Sequence, residues 1–178
     1  MALREFEGHT PRLARGAWVD DSAVVIGDVE LGEDASVWPA CVVRGDIHFI
    51  RIGARSNIQD GSILHVTHAS EFNPDGFPLL VGDDVIVGHN VTLHGCTIED
   101  GCLIGMGAMV LDGAIVRAGA MIAAGALVPP GKDCEGGYLW VGSPVRRVRE
   151  LTHTEKAHLA YSAANYVRLK DRHIAAGA

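Results

Sequence analysis

Two histidines of this chain each follow a leucine directly, in Leu64-His65 and Leu93-His94, and a third, His89, stands shortly before the second of them. Neutral imidazole is the commonest nitrogen ligand of a divalent transition metal. Three imidazoles leave the ion its positive charge and an open position, the donor set of a hydrating or hydrolytic centre. Groups able to orient a reacting molecule or pair ions stand nearby in Arg44-Gly45-Asp46 and Asn57-Ile58-Gln59-Asp60. What these residues can do depends on the elements that carry them.

Those elements follow from a period of six. From Val81 an aliphatic residue recurs at Val87, Leu93, Ile98, Ile104, Val110, Val116, Ile122 and Val128, every step six residues except one of five. Four places after each of the first eight stands a small or β-branched residue: Val85, Val91, Thr97, Cys102, Ala108, Ala114, Ala120 and Ala126. The same period runs earlier through Val19, Val25, Leu31, Val37 and Val43, and after a three-residue insertion through Ile52, Ile58 and Leu64. A six-residue period suits neither a helix of 3.6 residues per turn nor an isolated alternating strand, but it fits a triangular β-solenoid. Each hexad makes one wall with its aliphatic residue inward, and three hexads close a coil. Seventeen hexads predict between five and six coils.

The register then places the histidines. Three hexads back from Leu93 lies Leu64, and three further back lies Val43, so Arg44, His65 and His94 form one outward column. By the same count Val87 stands over Ile58, which puts His89 near Asp60 on a different wall. Bonds of about 2.0–2.1 Å leave no slack across a corner, so the three histidines cannot meet within one subunit. They meet if three prisms pack about a three-fold axis, each lending His89 to its neighbour. The other histidines, His9, His48, His153, His158 and His173, read as solvated or hydrogen-bonded surface residues, and His68 is unassigned.

The predicted organisation is a lead-in over 1–18, a solenoid over 19–133 with an excursion loop at 68–80, and an exit segment with a C-terminal helix over 134–178. The loop rests on Pro74, Asp75-Gly76 and Pro78, turn formers that cannot continue a ladder. Thr152-His153-Thr154-Glu155 has the form of a capping box and opens the helix, with Leu159, Val167 and Leu169 as part of its apolar stripe.

The 178 residues are 48% hydrophobic and 21% charged, with 22 glycines and few aromatics, which suits one domain with a core of Val, Ile and Ala. A net charge of −7 argues against nucleic acid and anionic membranes as partners. No secretory signal and no membrane span is legible, and a cytoplasmic location is expected. Cys41, Cys96, Cys102 and Cys134 have no CxxC spacing and read as buried thiols.

Arg44-Gly45-Asp46, Asn57-Ile58-Gln59-Asp60-Gly61 followed by His65, and Gly88-His89 with His94-Gly95-Cys96 resemble the motifs of the gamma-class carbonic anhydrases and their bacterial homologues. The similarity spans about Arg12 to Asp171. It implies a left-handed parallel β-helix, a homotrimer, and zinc, or Fe2+ or Co2+, at each interface with His65, His89 and His94 as ligands. It also implies that Gln59, with Asn57, holds the metal-bound water, and that Arg44, Asp46 and Asp60 form an interface ion-pair network. The activity implied is reversible hydration of CO2 to bicarbonate by metal-bound hydroxide. Two departures bear on turnover: Ile47 stands where the best-known active members carry a glutamate, and the loop offers only His68, Glu71 and Asp75 where they carry a proton-shuttling carboxylate. Tyr161 or Tyr166 could reach a neighbouring site.

Three other functions fit the same residues. The metal centre could hydrolyse a CoA thioester, the hexad fold and Gly142-Ser143-Pro144-Val145 also occur in acetyl-CoA-dependent acyltransferases, and an interface metal could serve a non-catalytic trimeric scaffold.

Overall fold

The computed structural model describes residues 2–177 and is a left-handed parallel β-helix closed by one C-terminal α-helix, His153–Ala175 (α1). Three walls rise in register. The first stacks Arg12, Glu30, Arg51, Leu80, Thr97, Ile115 and Asp133. The second stacks Trp18, Ser36, Asn57, Ile86, Leu103, Met121 and Leu139. The third stacks Ala2, Val24, Val42, Ile63, Thr92, Met109 and Leu127. Seven rungs per wall exceed the five to six coils expected from the hexads. Arg12–Leu13 keeps the spacing, Leu13 standing six residues before Val19, while Ala2–Arg4, Asp133–Cys134 and Tyr138–Gly142 pair as further rungs outside the aliphatic run. Backbone hydrogen bonds, which any sequence can make, extend the ladder past the repeat.

The residue after each outward rung position turns inward, half-buried at Leu3 and Leu13 and buried along the rest of the ladder. Val87, Leu93, Ile104, Val110, Val116, Ile122 and Val128 are fully buried in one continuous core with Val25, Val43, Ile58 and Leu64. All four cysteines lie in this interior unpaired, and burial pushes the thiols of Cys41 and Cys134 up to about 11 and that of Cys102 to about 12. They are inert as nucleophiles at neutral pH.

Two interruptions shape the site. The strands Val24–Leu31 and Val42–Ile52 run round the corner from the third wall to the first, with a register shift between Gly27 and Val29 where the longer strand bulges. Between His65 and Leu79 the chain leaves the same corner as a loop, pinched at its neck by an antiparallel bridge of Thr67 with Phe77.

The helix covers the second wall. Leu159 and Ala163 pack with Leu151 on Ile86, Leu103, Met121 and Leu139. At its far end the buried Lys170 ammonium donates to the Gly16 carbonyl (2.8 Å) and Asp34 (2.9 Å). Trp18, Trp38 and Tyr166 form an edge-on aromatic cluster beneath it, Tyr166 lying 5.4 Å from Trp38. His173 joins this cluster 5.1 Å from Trp38, so it is a packing residue rather than the solvated one expected. The third wall has no such cover among the described residues. Ile63 and Met109 are exposed on it, beside half-buried Val24, Val42 and Leu127. No helix among the described residues is long and apolar enough to cross a membrane.

Candidate metal centre

His65 and His94 face each other across the third wall as direct register partners, and Arg44 follows Val43, the partner of Leu64. The two imidazoles approach with His65 Nδ1 3.1 Å from His94 Nε2. The remaining nitrogen of each meets a carboxylate: His65 Nε2 lies 3.1 Å from Asp46 Oδ1, and His94 Nδ1 lies 2.7 Å from Asp112 Oδ1. A carboxylate takes the N–H of the ring it touches, so the two facing nitrogens both present lone pairs. Two lone pairs at this distance repel unless a cation lies between them. A tetrahedral ion with bonds of about 2.0–2.1 Å separates its ligands by roughly 3.3 Å, close to the separation found here. The donor set therefore fits a divalent metal.

The carboxylates are themselves held. Arg44 Nη1 donates to Asp46 Oδ2 at 2.6 Å, and Thr67 Oγ1 donates to Asp112 Oδ1 at 3.0 Å. Burial raises the Asp46 carboxyl, but the hydrogen bonds from Arg44 and His65 outweigh it and hold the group below its ordinary value. Burial also lowers the His65 imidazole below its ordinary value, and the Asp46 hydrogen bond offsets this only in part. The shift favours the neutral ring, the form that ligates. Gly95 completes the local design: its φ is +52°, and a Cβ there would run into the Asp112 carboxylate and Phe77 of the loop. The Gly after His94 is what lets Asp112 reach the ring.

His89 stands apart, as its register requires. Its Nδ1 lies 2.9 Å from Asp60 Oδ2, leaving Nε2 bare. No three metal-binding side chains meet within the chain among the described residues. Gln59 is on His89's wall, buried, with its Nε2 donating to Asn57 Oδ1 at 3.0 Å. Asn57 is fully buried beneath α1 and donates weakly to the Val85 carbonyl at 3.5 Å, so it fixes the Gln59 amide and leaves the Gln59 oxygen to act. Gln59, His89, Ser162 and Tyr166 line a cavity of about 240 Å³ between the helix and the second wall, whose apolar side is Ile86, Leu103 and Met106. Burial, with the charge of Asp60, raises the Tyr166 phenol above its ordinary value. Tyr161 is exposed and outside the cavity.

Of the residues selected from sequence, Arg44, Asp46, His65 and His94 come together on one wall, while Asn57, Gln59, Asp60 and His89 come together on another. Asp60 is thereby separated within a chain from Arg44 and Asp46. Asp112 and Thr67 were missed. The same count would have found Asp112, which follows Val110, the inward residue one coil beyond Leu93, by two places.

A family model described as bacterial transferase hexapeptide (six repeats) matches residues 95–130. Protein YrdA of Escherichia coli is 55% identical over 98% of this chain and 95% of its own length. The mitochondrial gamma carbonic anhydrase 1 of Arabidopsis thaliana is 44% identical over 94% of this chain and 61% of its own. A crystal structure of a putative acetyltransferase from Bacillus cereus superposes with a TM-score of 0.90 at 37% identity, covering 97% of this chain and 96% of that one. With its hexad ladder and its carboxylate-backed histidines in register, the chain belongs to the gamma carbonic anhydrase family of hexapeptide-repeat proteins.

Proposed function

We propose that the chain assembles as a homotrimer, holds zinc between His65 and His94 of one protomer and His89 of the next, and catalyses reversible hydration of CO2 to bicarbonate. Fe2+ or Co2+ suits the same imidazoles. One observation carries the reading: all three rings have one nitrogen committed to an aspartate and the other bare, the arrangement metal-ligating histidines use. When bound, such an ion supplies Lewis acidity and with it a hydroxide nucleophile near neutral pH. Gln59, fixed by Asn57, orients the reacting oxygen by its side-chain amide. Arg44 and Asp46 hold His65 and carry the contact between protomers, with Asp60 holding the His89 tautomer. The apolar third wall supports association of copies, and the name of the Arabidopsis relative supports the reaction. Four unpaired buried thiols support a reducing compartment, the cytoplasm.

One observation favours a second reading. The cavity beside His89 is several times the roughly 30 Å³ share of one water molecule, room for an organic carbonyl such as a CoA thioester, hydrolysed at the same centre. An acyltransferase, as the Bacillus cereus protein is titled, would use one catalytic imidazole and has no need of a second facing it at 3.1 Å.

Metal analysis with stopped-flow CO2 hydration, thioester hydrolysis and acetyl transfer on zinc- and Fe2+-loaded protein tests these together. The expected result is about one ion per chain, hydration activity, and loss of both in His89→Ala. Metal-free protein with acetyl transfer would establish the acyltransferase instead, and metal without any turnover would leave a scaffold.

A further inference from the structure

The cavity beside His89 has the second wall on one side and α1 on the other, and the helix brings Ser162 and Tyr166 to it. Where the helix sits along that wall therefore sets how far these two groups stand from Gln59 and His89. We infer that Lys170 fixes this seating and is a positioning residue for the cavity; that the cavity serves the reacting molecule rests on the function proposed above.

Apolar packing fastens only the first half of the helix, through Leu159 and Ala163. After Ala163 it fully buries a single residue among those described, Lys170. The Lys170 ammonium has three donors, and three acceptors meet it: the Gly16 carbonyl at 2.8 Å, Asp34 Oδ1 at 2.9 Å and Asp171 Oδ1 at 2.8 Å. Two of these belong to the solenoid, where Asp34 stands one coil beyond Gly16 and its N–H donates to the Arg15 carbonyl at 3.1 Å. Gly16 (φ +74°) makes room for the clasp, since a Cβ there would lie 2.2 Å from Asp34 Oδ1. Hydrocarbon contacts are non-directional and let a helix slide, whereas a buried ammonium that leaves its acceptors keeps an uncompensated charge. The clasp admits one seating.

Ser162, Tyr166 and Lys170 are spaced by four residues, so the two cavity groups and the clasp share one face of the helix. The surface under Tyr166 is itself fixed, for Trp38 lies edge-on to it at 5.4 Å and donates from Nε1 to Ser36 Oγ at 3.0 Å. The other fastenings act elsewhere. The Thr152–Glu155 capping box and Arg149 hold the start of the helix, and His173 stacks on Trp38 beyond Lys170.

Lys170→Met tests this, because Asp34 and Asp171 are 37% and 61% exposed and regain water when the ammonium is removed. The variant should keep its helix by circular dichroism and its zinc content. In NMR the Trp38 indole N–H and the Tyr166 ring signals should shift while those of the exposed Tyr161 stay. For metal-loaded protein kcat/KM for CO2 hydration should fall by about tenfold or more, as displaced positioning groups cost. Lys170→Arg, which keeps donors for Asp34, should recover most of that loss. Asp34→Asn, a milder change, should show the same shifts to a smaller degree, and it carries the test if Lys170→Met does not fold. Trp38 and Tyr166 signals unmoved in a folded variant would overturn the seating, and moved signals with wild-type kcat/KM would overturn the positioning role. If no loaded protein hydrates CO2, wild type included, the proposed reaction falls while the NMR shifts still decide the seating.

Discussion

An imidazole that binds a metal must keep one nitrogen bare and aimed, and in this chain aspartates do that aiming. Asp112 is the clearest case, because it holds only the ring of His94 and the hydroxyl of Thr67. Asp112→Asn keeps the shape but presents an NH2 group or a weaker acceptor to the His94 N–H. The expected consequence is a drop in zinc affinity of about 10- to 100-fold, measured by competition with a chelator, with the circular dichroism of the solenoid unchanged. Equal affinity in the two proteins would show that the Asp112 contact does not orient a ligand. His65 and His94 were legible because each sits one place after an inward leucine, and His89 because it sits two places after the inward Val87. The count also puts Asp112 on the coil beyond His94, one position further along the wall, and only side-chain reach shows that the two meet diagonally.

At the scale of elements, the helix controls half of the candidate site. It buries Asn57, walls in Gln59 and brings Tyr166 and Ser162 to the cavity beside His89. Its start is a complete capping box in which Thr152 accepts from the Glu155 N–H and Glu155 accepts from the Thr152 N–H. Arg149 is the larger influence on Glu155, and with the Thr152 N–H it brings the carboxyl from 4.5 down to about 2. A carboxyl lowered in the fold stabilises it fully above the unfolded value and progressively less as pH falls toward the folded one. The helix cap should therefore weaken between about pH 4.5 and 2, and Glu155→Gln should be less stable than wild type at pH 7 and nearly equal at pH 2. Thermal unfolding followed at 222 nm reads this; a constant gap between the two proteins across that range would remove the ion pair from the account. The capping box was plain in the sequence. The burial of Lys170 and the stacking of His173 were not, since both depend on which wall the helix lies against.

For the whole molecule, the decisive feature is an apolar third wall that no helix among the described residues covers. Ile63 and Met109 project from the strands that carry or adjoin His65 and His94. If copies associate through this wall, a charge at its centre must desolvate on assembly, at a cost of several kcal/mol. Ile63→Lys should therefore run as a monomer in sedimentation velocity while keeping its fold, and should lose metal because each site of the proposed trimer needs two protomers. A folded monomer that still held the full complement of zinc would rule out sharing of His89 between subunits. His89→Ala separates the effects from the other side, by removing the third proposed ligand without touching the wall.

By itself the sequence determined the coil. A six-residue spacing of aliphatics admits one kind of wall, and stacking by threes places Arg44, His65 and His94 in a column and sets His89 apart, because inward residues must lie over one another to exclude water. The tertiary structure alone decided how many rungs the ladder has, which wall the helix covers and which is left open. It also decided that Asp46 holds His65 and Asp112 holds His94, whereas the count had already set Asp60 beside His89. Those outcomes depend on backbone pairing that carries no sequence signature and on side chains meeting across coils, where reach and packing decide and periodicity is silent.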